Sequence, residues 1–216
     1  MEADCPEWLR DFAAKAPRMH VPALFRPPVN GARAAAVLIL FGEGPDGPDL
    51  LLLQRADTLR KHAGQPAFPG GGVDPGDGGA VGAALREAAE ETGLAPSGVA
   101  VLATMPEMYV AHSGYRVTPV VGWWREPSAV GAADPREVAS VARVPLSELT
   151  DPANRLRIRG LSGHVGPAFR VREMLVWGFT AGLLHAVLRA GGWDRPWDTG
   201  RVEDLPAEVI DLARRE

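Results

Sequence analysis

Between Gly64 and Gly82 the chain places eight glycines and three prolines in nineteen residues, a composition that suits neither a helix interior nor the centre of a sheet. Directly after it, residues 83–92 are rich in Ala, Leu and Glu, and Gly93 supplies a helix stop. A long glycine-rich loop therefore feeds a helix. That junction constrains the fold more than any other feature, because whatever flanks it must be arranged around one loop and one helix held in fixed order.

The flanks read as strands. Residues 34–41 and 50–55 are apolar runs separated by the turn-rich Gly-Glu-Gly-Pro-Asp-Gly-Pro-Asp, as expected of neighbouring strands in a buried sheet. Residues 99–105, 115–124, 156–158 and 169–171 read as further strands, 145–149 as a short helical turn and 175–189 as a helix. At the N-terminus, Trp8, Leu9, Phe12 and Ala13 recur at helical spacing before Pro17 and Pro22 end the pattern. The expectation is an α/β protein with helices packed on one sheet. A domain over 33–190 is preceded by a helix and extended arm over 1–32 and followed by a tail over 191–216, with a possible amphipathic segment at 207–214.

With 216 residues, 46% hydrophobic and 23% charged, the chain has the length and composition for one domain with extensions. A net charge of −4 gives no electrostatic reason to expect nucleic acid as a partner. Cys5 is the single cysteine, which excludes an internal disulfide or a CxxC site and fits a reducing compartment, with the cytoplasm as the default. The longest apolar run, 34–41, is far short of a membrane span, and the N-terminus carries acids where a signal peptide would be basic. No membrane association is expected.

The chemistry is concentrated in Arg86-Glu87-Ala88-Ala89-Glu90-Glu91-Thr92-Gly93-Leu94. At helical rotation Glu87, Glu90 and Glu91 fall on one side, with Val81, Leu85, Ala88 and Ala89 opposite. Like charges at these spacings cost about a few tenths of a kcal/mol per pair unless a cation sits among them. Hard oxygen donors suit Mg²⁺ or Mn²⁺ and a phosphate or diphosphate substrate. The competing reading is a solvated acidic face on which Arg86 pairs with Glu90. Upstream, Phe68-Pro69-Gly70-Gly71-Gly72 gives a backbone that a ligand can approach without Cβ collisions.

These residues resemble the Nudix hydrolases, whose signature is Gly-x5-Glu-x7-Arg-Glu-U-x-Glu-Glu-x-Gly-U, with U a bulky aliphatic residue. Arg86 to Leu94 matches at the fixed positions, with Ala88 a small occupant of the first U. The first half departs: counted from Gly72, Gly78 stands where the Glu should be, whereas counted from Gly71, Asp77 stands there with one extra residue before Arg86. An insertion with Asp replacing Glu is the simpler account. Leu51-Leu52-Leu53-Gln54-Arg55-Ala56, Arg60, Gly64 and Phe68-Pro69-Gly70-Gly71 are similar to the additional motif of coenzyme A pyrophosphatases, with Leu53 the one mismatch.

The resemblance implies an α/β/α sandwich around a mixed sheet and metal-dependent hydrolysis of a diphosphate. In the coenzyme A branch the products are 3′,5′-ADP and 4′-phosphopantetheine or its acyl form. It implies Glu87, Glu90 and Glu91 as ligands of Mg²⁺ or Mn²⁺, with Glu90 and Arg86 as the catalytic pair and Arg86 orienting a carboxylate. Arg55, Arg60, Gly70 and Gly71 would contact a nucleotide-type small molecule. The base is left open among Glu90, Glu107 and another loop residue, and Glu107 and His112 lie in a loop between strands where binding residues are common.

Other features read more plainly. Arg155, Arg157 and Arg159 alternate, as on a charged, exposed edge strand or a site for an extra phosphate. His185 and Trp123, Trp124 and Trp177 are expected to pack. Three alternatives remain open: a hydrolase of another nucleoside diphosphate derivative such as NADH, ADP-ribose or a nucleoside triphosphate; a non-catalytic nucleotide-binding regulator; and an interaction domain whose terminal extensions hold a homodimer together.

Overall fold

The structure, a computed structural model, describes residues 5–22, 25–26, 31–111, 113–160 and 163–213. The chain divides into two compact units, Met1–Gly42 with Phe68–Val130, and Glu43–Ala67 with Gly131–Glu216.

In the first unit the apolar run of the sequence becomes β1 (Arg33–Gly44), in which Leu38, Ile39, Leu40 and Phe41 are all fully buried. Such a continuous run belongs to a strand covered on both faces. β1 is antiparallel to β4 (Gly70–Gly72), with Ala36 opposite Gly71, and parallel to β7 (Tyr115–Trp124) from Arg33↔Tyr115 to Phe41↔Trp123. β5 (Val99–Thr104) and β6 (Met108–Val110) run antiparallel to β7. The sheet is therefore mixed, and the α/β class expected from the sequence is what the structure shows. The N-terminal helix α1 (Glu7–Lys15) buries Leu9 and Phe12 completely. The rings of Trp8 and Phe12 meet Phe41 edge to face at 5.9 and 5.6 Å, and Trp8 meets Trp123 at 6.1 Å.

The helix after the glycine-rich loop, α2 (Ala80–Thr92), begins three residues earlier than its composition predicts. Gly79, at φ 112°, turns the chain into it, and Gly82 lies inside its first turn. A Cβ at Gly82 would fall 1.8 Å from the Asp77 carbonyl oxygen, so this glycine permits close packing of helix on loop. Gly93, left-handed at φ 70°, ends the helix with its N–H on Ala89 O at 2.9 Å.

In the second unit β2 (Gly47–Arg55) pairs antiparallel with β3 (Pro66–Ala67) and with β8 (Val138–Pro145), which leads into α3 (Leu146–Leu149). A four-stranded sheet has the order β11–β10–β9–β12, from β9 (Arg155–Arg159), β10 (Val165–Val171), β11 (Met174–Val176) and β12 (Val202–Asp204). The helices α4 (Gly178–Ala190) and α5 (Ala207–Ala213) complete it.

Two expectations are corrected here. The stretch 175–189 does not start as helix: residues up to Val176 are strand, because Arg172 and Glu173, at φ 47° and 65°, make a tight reversal that returns the chain against β10. Glu148 pins this reversal, accepting the Arg172 N–H at 2.9 Å and pairing with its guanidinium at 2.9 Å. Nor is the arginine-rich β9 an edge, since β10 and β12 flank it. Its Arg155 is 1% exposed, bonded to Asp194 at 2.7 Å and His185 Nδ1 at 2.8 Å, with its guanidinium against the rings of Phe169 and Trp197 at 4.4 and 4.7 Å. Burial of a cation is tolerated when it is paired and bonded in this way. Among the described residues no helix is long and apolar enough to cross a membrane.

Because Phe12 is wholly enclosed against Phe41, Phe12→Ala is expected to remove about 3–5 kcal/mol of stability, read as a lower urea midpoint. A midpoint unchanged from the parent would mean that α1 is dispensable to the core.

Candidate active site

The expected site residues of the glycine loop and helix come together in the first unit. β4 supplies the backbone. Pro69 O accepts the Leu38 N–H at 2.8 Å, and the Val73 N–H donates to Ala34 O at 3.0 Å, so the loop is stitched to β1 at both ends of β4. Gly70 is required by this approach: a Cβ there would come within 2.2 Å of Ala36 O. Gly71 is required by its other neighbour, because a Cβ there would lie 2.4 Å from the Glu87 carboxyl group. The missing side chain lets that carboxylate rest on the main chain.

The three glutamates have different surroundings. Glu90 is exposed; Glu87 is partly buried; Glu91 is buried at 7% exposure and accepts the Gly70 N–H at 2.9 Å. The helix thus presents a graded edge rather than a uniformly solvated face. Burial holds the Glu87 carboxyl above the usual carboxylate range, opposed by its bond from Arg86.

Arg86 occupies the centre. Its Nε and Nη2 donate to the two carboxylate oxygens of Asp77 at 2.7 and 3.0 Å, a bidentate pair. Nη1 donates to Glu87 at 3.0 Å and Glu90 at 2.9 Å, and Nη2 also reaches Gly72 O at 3.1 Å. One guanidinium therefore ties the loop strand, the turn and two carboxylates together. The i,i+4 pair with Glu90 that an ordinary acidic face would show is present, but as one bond of five. Asp77 is the residue whose role the sequence left open. Its side chain is only 5% exposed, accepts the Asp74 N–H at 2.7 Å, and is held below the usual carboxylate range chiefly by the bond from Arg86.

By type, though not by their spacing in this arrangement, the donors suit a hard divalent cation: Glu87, Glu90 and Glu91 supply carboxylate oxygens beside a glycine backbone, and Glu87 is partly desolvated. In the arrangement seen, Arg86 Nη1 supplies the positive charge between Glu87 and Glu90. Among the described residues no group of three or more His, Cys, Asp or Glu is gathered to hold a metal ion.

The remaining candidates belong to other elements. Arg55 ends β2 and Arg60 lies exposed in the turn after it, both in the second unit. Glu107 pairs with Arg116 at 3.1 Å. His112 lies outside the described residues. Sequence reasoning missed the burial of Glu91 and the packing role of Gly82; a glycine set directly before the Ala-rich run was the available signal for the latter.

Asp77→Asn is expected to lower the melting temperature at about pH 7, with the difference from the parent narrowing as pH falls below the ordinary carboxyl value of 3.8. The folded carboxyl lies below its ordinary value of 3.8, so its stabilisation is present above that value and lost as pH falls through the folded one. A difference that stays constant across thermal melts in this range contradicts the assignment.

The model of the NUDIX domain matches residues 31–162. The chain is 43% identical over 171 residues to a protein of Escherichia coli K12 described as "Uncharacterized Nudix hydrolase NudL", covering 75% of this chain and 86% of that one. It is 44% identical over 171 residues to a protein of the same description from Citrobacter koseri, with the same coverage. Among solved structures, a Nudix hydrolase from M. smegmatis, RenU, has 27% identity and a TM-score of 0.47 over 56% of this chain and 76% of that one. One from Alicyclobacillus acidocaldarius has 17% identity and a TM-score of 0.49 over 76% and 94%. With the family model spanning more than half of the chain and relatives 43% and 44% identical covered over 86% of their length, the protein belongs to the Nudix hydrolase family.

Proposed function

We propose that this hydrolase cleaves the diphosphate of coenzyme A or its thioesters, giving 3′,5′-ADP and 4′-phosphopantetheine or its acyl form, with Mg²⁺ or Mn²⁺ as cofactor. The observation that supports this reading best is the continuity of two sequence features through one structural element. The coenzyme A motif ends on Phe68-Pro69-Gly70-Gly71, and those glycines are the strand on which the Glu87 and Glu91 side chains rest.

Glu87 and Glu91 would hold the metal ion, with Glu90 as the third carboxylate. Bound there, a divalent ion would neutralise diphosphate charge and lower the pKa of a water towards neutrality. Gly70 and Gly71 would meet the substrate through main-chain atoms. Arg86 orients the acidic edge through the bonds already described. Glu90, the exposed one of the three glutamates, is the group best placed to accept a proton from water. Arg55 and Arg60, at the motif's arginine positions, contact phosphates of the substrate, for which the guanidinium fork is suited. The single, buried Cys5 is in keeping with a cytoplasmic enzyme.

Mass spectrometry of purified protein incubated with coenzyme A and MgCl₂ is expected to show 3′,5′-ADP and 4′-phosphopantetheine. Rapid turnover of ADP-ribose or NADH with coenzyme A left intact overturns the substrate assignment. Glu90→Gln is expected to lower kcat by about 10²–10⁴-fold with the melting temperature retained; full activity in that variant moves the proton acceptor elsewhere, with Glu107 next to be changed.

A further inference from the structure

The C-terminal extension lies outside the resemblance to coenzyme A pyrophosphatases, yet in the second unit it is built onto the segment that carries part of their motif. β12 pairs in parallel with β9 through Val202↔Arg157 to Asp204↔Arg159. Beyond it Leu205 is buried, and Val209 and Ile210 of α5 pack on the cluster of Leu156, Ile158 and Ala168. This anchoring fixes where the next turn of α5 goes. There Leu212 Cδ1 fills the space in which a side chain on Gly64 would begin: a Cβ at Gly64 would be 2.8 Å from it and 2.7 Å from Asp57 Oδ1.

Gly64 closes the loop 56–65, in which Arg60 is exposed. The loop is tightly folded from within. The Gln54 side-chain amide donates to Gly64 O, the Arg55 N–H to Gln65 O at 3.1 Å and the Gly64 N–H to Ala56 O at 3.4 Å. His62 and Gly64 both take left-handed backbone, at φ 54° and 65°. A non-glycine residue in that region is strained and persists only where neighbouring contacts over-determine the loop. Leu212 is such a contact from outside it.

We propose that α5, through Leu212, holds the loop 56–65 in the shape that presents Arg60 to the substrate, which makes Leu212 a positioning residue and the C-terminal extension part of the enzyme's substrate recognition. This rests on the reading above that Arg60 meets phosphates of the substrate. The expected consequence is on substrate capture, not on the chemical step, because Leu212 belongs to neither the acidic helix nor the glycine strand.

The test uses the full chain with Leu212→Ala, and Leu212→Met as the conservative variant. Amide hydrogen exchange within 57–65 should quicken by about tenfold in Leu212→Ala while α2 stays as protected as in the parent. KM for coenzyme A should rise by about three- to tenfold with kcat within about twofold, and Leu212→Met should restore both readouts. Unchanged exchange in the loop overturns the inference whatever the substrate proves to be, and so does faster exchange with an unchanged KM. A parent enzyme inert toward coenzyme A, with the exchange effect intact, removes the coenzyme A reading and leaves the hold of Leu212 on the loop established.

Discussion

The guanidinium of Arg86 is the interaction on which the candidate site depends. Three carboxylates spaced at 87, 90 and 91 on a helix repel one another, and a glycine-rich loop loses much conformational entropy on becoming ordered. Arg86 offsets both costs at once. Its fork on Asp77 closes the turn, Nη2 bonds Gly72 of the strand, and Nη1 separates Glu87 from Glu90. A lysine would preserve the charge but could not span these partners, since an ammonium on a single stem lacks the planar spread of donors.

The glycines work in pairs with that network, each for a different reason. Gly70 is small because β1 passes behind it, Gly71 because Glu87 lies on it, and Gly82 because the helix start closes over the Asp77 carbonyl. Together these contacts determine how far the helix can stand from the strand. The depth of the acidic edge is therefore a packing property, set by the absence of three Cβ atoms.

What was legible in the sequence is what local chemistry decides. The stop at Gly93, the apolar β1 and the amphipathic α1 follow from conformational freedom and hydrophobic periodicity within a few residues, as does the gathering of glutamates on α2. What was not legible depends on partners far along the chain. Glu91 reads as one more exposed acid until the Gly70 N–H, twenty-one positions earlier, is brought to it. Arg155 reads as a soluble edge until β12 arrives on the other side of β9 and Asp194 and Trp197 come with the tail. The strand at 174–176 was hidden because the reversal before it uses arginine and glutamate, which carry no turn signal, and is secured by Glu148 from α3.

The turn before α2 shows how side-chain reach and main-chain slack trade against each other. Relative to the Nudix pattern, the acid bonded to Arg86 is one methylene shorter and the segment leading from it to Arg86 one residue longer. Gly78 and Gly79, both at positive φ, bend the chain between that acid and the helix, and the Asp77 carboxylate meets the fork with both oxygens. Main-chain slack and side-chain reach therefore meet in one bidentate pair, and the bend keeps its shape only as firmly as that pair does.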